Sequence, residues 1–539
     1  MSLIQAILLG FISFLSGLGI SYNIVFEFTC VPMIMSTVAG IILGDPKTGL
    51  MCGAIIQPMY LAFMNAGGNV PADKGNGSLL ATALVISSGL STDVALAMTI
   101  PLTLILAQIA NLKKIARGYV NEIAEKCAVK GDDKGIVASA LIGTCIISLI
   151  FYWIPISVAA YLGSDLLSNL NSALPAFVTG GLSAIGHVLP SIGIAATMIA
   201  IGRRDFLPFF VFAFFIAQYT GIGSLELLLY AGLITFVYFL VSKQTLSLED
   251  AKLFEASDNE DNAKKLLTKK DLFWLWERWH FFCETATSFT HLQGQAFCIA
   301  FIPILKKLYG EGSEEYKNAL ASHMAFYNTS GNFGGLVNGI VAAMEEQRAL
   351  AGEKAEEVIP RDSINTVKIG LMGPVAGIGD TIDFSTIKVI TLAFFVTYAQ
   401  AGYMWAPFAY LVVVFCYWYA EGLFLTNIGY KYGAQAAGQL LGSPLFKLIF
   451  SCAALLGYFM IGGMSASMVS VTTPLVIAMK SGLTMAVQAD ILDQIVPGLL
   501  SIIVIFIIYG YLSHKGSIIK ATWFALLIAF VLGAVGILA

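Results

Sequence analysis

Four stretches of the chain set amides, carboxylates or an imidazole among apolar residues. The first runs Gln57-Pro-Met-Tyr-Leu-Ala-Phe-Met-Asn65-Ala-Gly-Gly-Asn69-Val-Pro-Ala-Asp73. Amides and carboxylates suit hydroxyl groups, which both donate and accept hydrogen bonds, and are costly to bury without partners. Gln57, Asn65 and Asp73 are therefore candidate ligands for a polyhydroxylated solute; the competing reading is a re-entrant loop that bonds its own backbone. The second stretch is Thr290-His291-Leu-Gln293-Gly-Gln295. His291 is read as a phosphoryl acceptor, a proton carrier or a hydrogen-bonding residue, and Gln293 is as good a sugar ligand on chemical grounds. No second histidine or acid stands at metal-ligand spacing, so no metal site is expected there. The third, Tyr327-Asn328-Thr329-Ser330-Gly331-Asn332, precedes an apolar run and serves equally as a helix cap or a site centred on Asn328. The fourth, Gly370-Leu-Met-Gly373-Pro374-Val-Ala-Gly377-Ile-Gly379-Asp380-Thr381-Ile-Asp383, reads as a break or a close helix crossing. No Gly-Lys-Ser/Thr follows it, so it is not a nucleotide loop. Acids inside membrane segments are functional candidates by default, which singles out Asp380 and Asp383.

The elements that must position these groups are apolar helices. Of the 539 residues, 57% are hydrophobic and 12% charged, against about 25% charged in soluble domains. Apolar blocks such as Ile136–Ala160, Phe206–Leu240, Ile387–Ala420 and Leu499–Tyr511 suggest roughly 13–18 membrane-embedded segments, some short and broken. The expected fold is all-α: a polytopic integral membrane protein with broken and re-entrant helices in two hydrophobic halves. Broken helices persist at membrane depth only where protein or a water-filled cavity satisfies their backbone, and transporters bind substrates at such breaks.

One charged stretch, Ser242–Asp271, divides the chain into residues 1–241 and 272–539. Its lysines place it in the cytoplasm by the positive-inside rule, as do those of Lys113–Lys134. Met1–Gly17 lacks a basic leader region and is read as a mature segment. The polar run Ala342–Lys354 is read as a solvated cytoplasmic helix. The net charge of −4 and the lack of a basic stripe with interleaved aromatics argue against nucleic-acid binding. The eight cysteines form no CxxC pair and are read as small buried hydrophobes. No cofactor is expected.

Several of these motifs carry a resemblance. Gly44-Asp-Pro-Lys-Thr-Gly49, Met64-Asn65 with Asp73, and the run Leu170–Leu182 resemble enzyme IIC of the mannose-family sugar phosphotransferase system. Gln293 with Phe297-Cys298, Phe326–Thr329, Glu345-Glu-Gln-Arg348, the run Gly370–Asp380 and Ile491–Gly498 resemble enzyme IID. The resemblance covers nearly the whole chain outside the linker. It implies a permease in a bacterial cytoplasmic membrane, with IIC and IID fused. Such a permease binds a hexose from outside, carries it inward by an elevator-like movement and assembles as a homotrimer of IIC–IID units. The phosphoryl-donor histidine would lie on a separate IIB subunit, itself charged by IIA. The resemblance assigns Gln57, Asn65 and Asp73 to the IIC part of the site, and His291, Gln293, Asn328 and Asp380 to the IID part. Asp73 and Asp380 are the acids expected to orient or deprotonate the reacting hydroxyl.

The chain departs from the mannose-type pattern at Val31-Pro32 (Arg-Pro), Gln57 (Glu), Thr290-His291 (Glu-Arg) and Thr381-Ile-Asp383 (Pro-Ile-Phe). An amino sugar, a ketose or a sugar conjugate therefore fits as well as mannose or glucose. The competing function is an ion-coupled secondary sugar transporter using the same acids. A third role, incidental to transport, is that of a surface receptor for bacteriocins or phage.

Overall fold

The computed structural model describes residues 1–61, 72–90, 92–170, 176–201, 203–222, 224–243, 265–442, 444–478, 484–514 and 518–538. Asn65 and most of the charged linker lie outside these residues. Helices make up nearly all of the described chain. The departure from an all-α fold is an antiparallel hairpin that pairs Val476–Ala478 with Thr484–Ala486. Pro474 precedes it and cannot extend a helix, while the β-branched Val476 and Ile477 favour an extended strand.

Local chemistry sets many helix ends. Ser2 and Gln5 form a reciprocal capping box on Leu3–Leu18, which ends at Gly19 with φ 65°. Asp45, Asp73 and Asp132 each accept a backbone N–H at the start of the helix that follows. Among the described residues, three helices are long and apolar enough to cross a membrane: Asp133–Gly163, Arg361–Gln400 and Ala406–Lys431. Two bent pairs raise the number to five, and four shorter apolar helices add to these. Bends cut some of the apolar blocks into shorter pieces. Tyr22–Cys30 meets Pro32–Leu43 at 75°, and Val487–Ile495 meets Leu499–Ser513 at 72°.

The run Gly370–Asp383 does not break the chain. The helix Arg361–Gly379 passes into a π-helical stretch, Asp380–Ile387, and on into Lys388–Gln400. Such π-turns recur at functional sites.

Two of the three buried clusters join the two parts of the sequence; the third lies within the first part. One buried cluster combines Ile56, Ile194 and Phe210 with Val389, Tyr410 and Tyr458. A second combines Val120, Ala124 and Ile136 with Trp276, Phe297 and Val337. The helix Ala176–Ile201 packs on Ile518–Ala534, and Leu207–Thr220 packs on Pro444–Met468. The helix Ser224–Lys243 extends into the expected linker, and the next helix among the described residues begins at Lys269. The run Ala342–Lys354 is not simply a solvated helix either: Glu345 and Arg348 are buried.

Candidate functional site

The segment Tyr22–Cys30, just before the bend at Val31-Pro32, and the loop between helices Lys269–Phe282 and Gly294–Tyr309 face each other across a cavity. The first part of the chain supplies Tyr22, Glu27, Lys74 and Lys114 to its wall. The second supplies Glu284, Gln293, Asn328, Ser330, Asp380 and Lys388. A smaller compartment adjoins it, sharing Lys74, Lys114 and Glu284 and adding Asp73, Lys113, Arg117 and Tyr152.

The strongest link across the junction is an ion pair. Lys388 Nζ lies 2.7 Å from Glu27 Oε2, and the Tyr410 hydroxyl donates to Glu27 Oε1 at 2.5 Å. Both charged side chains are almost fully buried. The lysine ammonium also lies over the rings of Phe384 and Trp418, at 5.3 and 5.7 Å.

Gln293 fixes the wall on the other side. Its amide nitrogen donates to Glu284 Oε1 at 3.2 Å, and its oxygen accepts the Thr329 N–H at 2.8 Å. The Gln293 N–H donates to the Tyr327 carbonyl at 2.8 Å, so the two loops run side by side. Ser21, Ala286 and Leu292 all have positive φ, at 50°, 58° and 45°. Non-glycine residues in that region store strain and cluster at functional sites. Gly379 allows the helix carrying Asp380 to approach: a Cβ there would sit 2.6 Å from Ser330 Cβ.

Some lining groups are left open to a ligand. The Asp380 carboxylate makes no hydrogen bond or ion pair among the described residues, and neither does the Asn328 side-chain amide. The buried Ser330 hydroxyl lacks a hydrogen-bond partner. These are one acceptor-only group and two that both donate and accept, which is the complement of a polyol.

The expected residues separate accordingly. Gln293, Asn328 and Asp380 share the larger compartment, and Asp73 lines the smaller one. Asp73 caps the helix Lys74–Ser88 and accepts from the Asn76 amide at 3.0 Å and the Tyr152 hydroxyl at 2.8 Å. Gln57, His291 and Asp383 line neither compartment. The buried Gln57 accepts the Met33 N–H at 3.1 Å, next to the bend that Pro32 imposes. His291 is held at the surface by Glu125, 2.8 Å from Nε2, and by Thr290, 2.9 Å from Nδ1. Asp383 is buried, accepts from Asn332 at 3.0 Å and lies close to Glu421.

Sequence reasoning missed Glu27, Lys74, Lys114, Glu284 and Lys388. Two of these had a signal. Glu27 is the lone charged residue before Asp45, and Lys388 the lone one between Asp383 and Glu421. Isolated charges in apolar runs are functional candidates.

Two family models match the chain. The sorbose-specific IIC component of the phosphotransferase system matches residues 3–237. The IID component of its mannose/fructose/sorbose family matches residues 266–538. Among similar proteins, the mannose-specific EIID component of Escherichia coli K12 is 29% identical over 260 residues, 48% of this chain and 89% of its own length. The sorbose-specific EIID component of Klebsiella pneumoniae is 32% identical over 260 residues, 47% of this chain and 90% of its own length. The mannose-specific EIIC component of E. coli K12 is 26% identical over 259 residues, 48% of this chain and 96% of its own length. A cryo-EM structure of the mannose transporter ManYZ with microcin E492 shares 29% identity over 51% of this chain and all of the compared chain, with a TM-score of 0.30.

Proposed function

The chain belongs to the mannose/fructose/sorbose family of phosphotransferase-system permeases, with IIC and IID components in one polypeptide, and on that premise we propose that it binds a hexose-type sugar in the larger compartment. The observation that carries this reading is the set of unpartnered groups on Asn328, Ser330 and Asp380, opposite the Glu27–Lys388 pair. Sugar hydroxyls complete the hydrogen bonding of all three.

The chemistry asked of this chain is positioning, since phosphoryl transfer needs little covalent help from its host. The sugar hydroxyl oxygen attacks phosphorus, the histidine N–P bond on IIB breaks, and the hydroxyl proton passes to a carboxylate. Asp380 suits that role because its oxygens are free; those of Asp73 already accept from Asn76 and Tyr152. The deprotonating acid is therefore assigned to Asp380, and Asp73 becomes a positioning residue that fixes the start of its helix. His291, engaged by Glu125, is assigned a structural part.

The remaining features of the family enter as parts of the same proposal. The chain works by an elevator-like movement in a bacterial cytoplasmic membrane, as a homotrimer, with IIA and IIB as separate chains and the linker in the cytoplasm. A bacteriocin such as the microcin bound to ManYZ docks on its outer face. The test of the central reading is uptake of a panel of labelled sugars with and without phosphorylated IIB. Sugar phosphate that forms only with IIB is the expected result; free sugar that follows an ion gradient would overturn it.

A further inference from the structure

Building on the reading of the chain as a phosphorylating sugar permease, we propose that the smaller compartment is an oxyanion site that holds the phosphate of the newly made sugar phosphate. The sugar ring then lies in the larger compartment.

The charges carry this inference. In the larger compartment Lys74, Lys114 and Lys388 balance Glu27, Glu284 and Asp380, which suits a neutral sugar. The smaller one shares Lys74, Lys114 and Glu284, and adds Lys113 and Arg117 against Asp73 alone. Counted once each across both compartments, five cations face four carboxylates, and the groups that belong only to the smaller one carry the excess. Buried like charges repel and lose hydration, so the excess calls for an anion. A phosphate monoester carries about −1.5 to −2 charges at pH 7, which more than offsets it.

The donors are built for this. Arg117 is 1% exposed and Lys113 8%. Arg117 commits its terminal nitrogens to Thr287 Oγ1 at 3.2 Å and to the carbonyls of Gly17 and Leu18 at 2.5 and 3.4 Å. Its Nε–H is buried with no acceptor. The Lys113 ammonium lies 4.6 Å over the Tyr152 ring and forms no ion pair among the described residues. An arginine Nε–H and a lysine ammonium are charge-assisted donors to phosphate oxygens. The compartments adjoin at Lys74, Lys114 and Glu284, and in this proposal one molecule places its ring in the first and its phosphate in the second.

The test uses the full chain in detergent and inorganic phosphate as the probe, titrated calorimetrically at constant ionic strength with chloride as the balancing anion. The wild type is expected to bind phosphate saturably. Lys113→Gln should weaken that binding about tenfold or more and leave sugar binding intact, and Lys113→Arg should restore most of it. Phosphate should also protect Lys113 of the unaltered chain from amine acylation, read by mass spectrometry, which tests the site should Lys113→Gln not fold. Phosphate binding no tighter than chloride binding, an unchanged affinity in Lys113→Gln, or no protection would overturn the proposal. Those results, alongside IIB-dependent sugar phosphate from the wild type, sink the phosphate site alone. Absence of that product from the wild type sinks the permease reading instead.

Discussion

Lys388→Met removes one member of a buried ion pair that ties the two parts of the chain together. With Nζ 2.7 Å from Glu27 Oε2, the Coulomb attraction at an effective dielectric near 20 is about 6 kcal/mol. Folding has already removed hydration from both ions, so the variant strands the Glu27 carboxylate with the Tyr410 hydroxyl as its remaining partner. Breaking one side of a buried pair costs about 3–5 kcal/mol. Glu27→Gln combined with Lys388→Met leaves no buried charge, and replacing both partners is close to neutral. The double variant should therefore recover most of the loss, departing from additivity by more than about 1 kcal/mol. Denaturant unfolding of the detergent-solubilised chain measures all four proteins. Tryptophan fluorescence is a suitable probe, since Lys388 lies against Trp418. Wild-type stability in Lys388→Met, or a double variant no better than the sum of the singles, would refute the claim that this pair carries a joining role. Sugar affinity measured on the same samples separates stability from binding, because both residues also line the cavity.

Asp380→Asn should weaken sugar binding about ten- to a hundredfold, the loss of one charge-assisted hydrogen bond, with unfolding unchanged; calorimetric titration of folded protein checks it. Asp73→Ala should lower stability by about 0.5–2 kcal/mol through the lost cap, and Asp73→Asn should keep most of it; denaturant titrations of the two variants compare them. Cleavage inside Ser242–Asp271 should leave two fragments that co-purify, since two large buried clusters draw on both; fragments that separate on size exclusion would contradict it. Acidification should weaken the node around His323 and Glu345, whose side chains lie 3.0 Å apart and fully buried. Burial pushes the His323 imidazole down, and Glu345 offsets this in part. Burial pushes Glu345 up, but hydrogen bonding and charge from His323, with Arg361 and Tyr309, outweigh it and hold it low. Both folded values lie below the unfolded ones, so the unfolded chain binds more protons as pH falls. Their contribution is full above about pH 6.5 for His323 and about pH 4.3 for Glu345, and is lost progressively below. Unfolding measured at neutral and mildly acid pH should show this slope, and His323→Gln should flatten it.

Composition and patterning alone set the solvent and the chemistry. A charge content of 12% with long apolar blocks requires membrane helices, and acids and amides stranded in such blocks mark where a polar solute is held. That logic reached Gln293, Asn328 and Asp380 because each sits in a polar interruption. Which polar groups face the cavity and which serve the backbone depends on packing in three dimensions. Gln57 and Asn328 look alike along the chain, yet Gln57 turns to the Met33 N–H beside a proline bend and Asn328 keeps a free amide. Glu27 and Lys388 stand 361 positions apart, so no spacing rule pairs them. The bend that brings Glu27 to the junction and the π-helical run that turns Lys388 toward it do. Local patterning fixes which residues leave water; partners distant in sequence are chosen by packing, because a buried charge is tolerated only where the fold delivers its counter-charge.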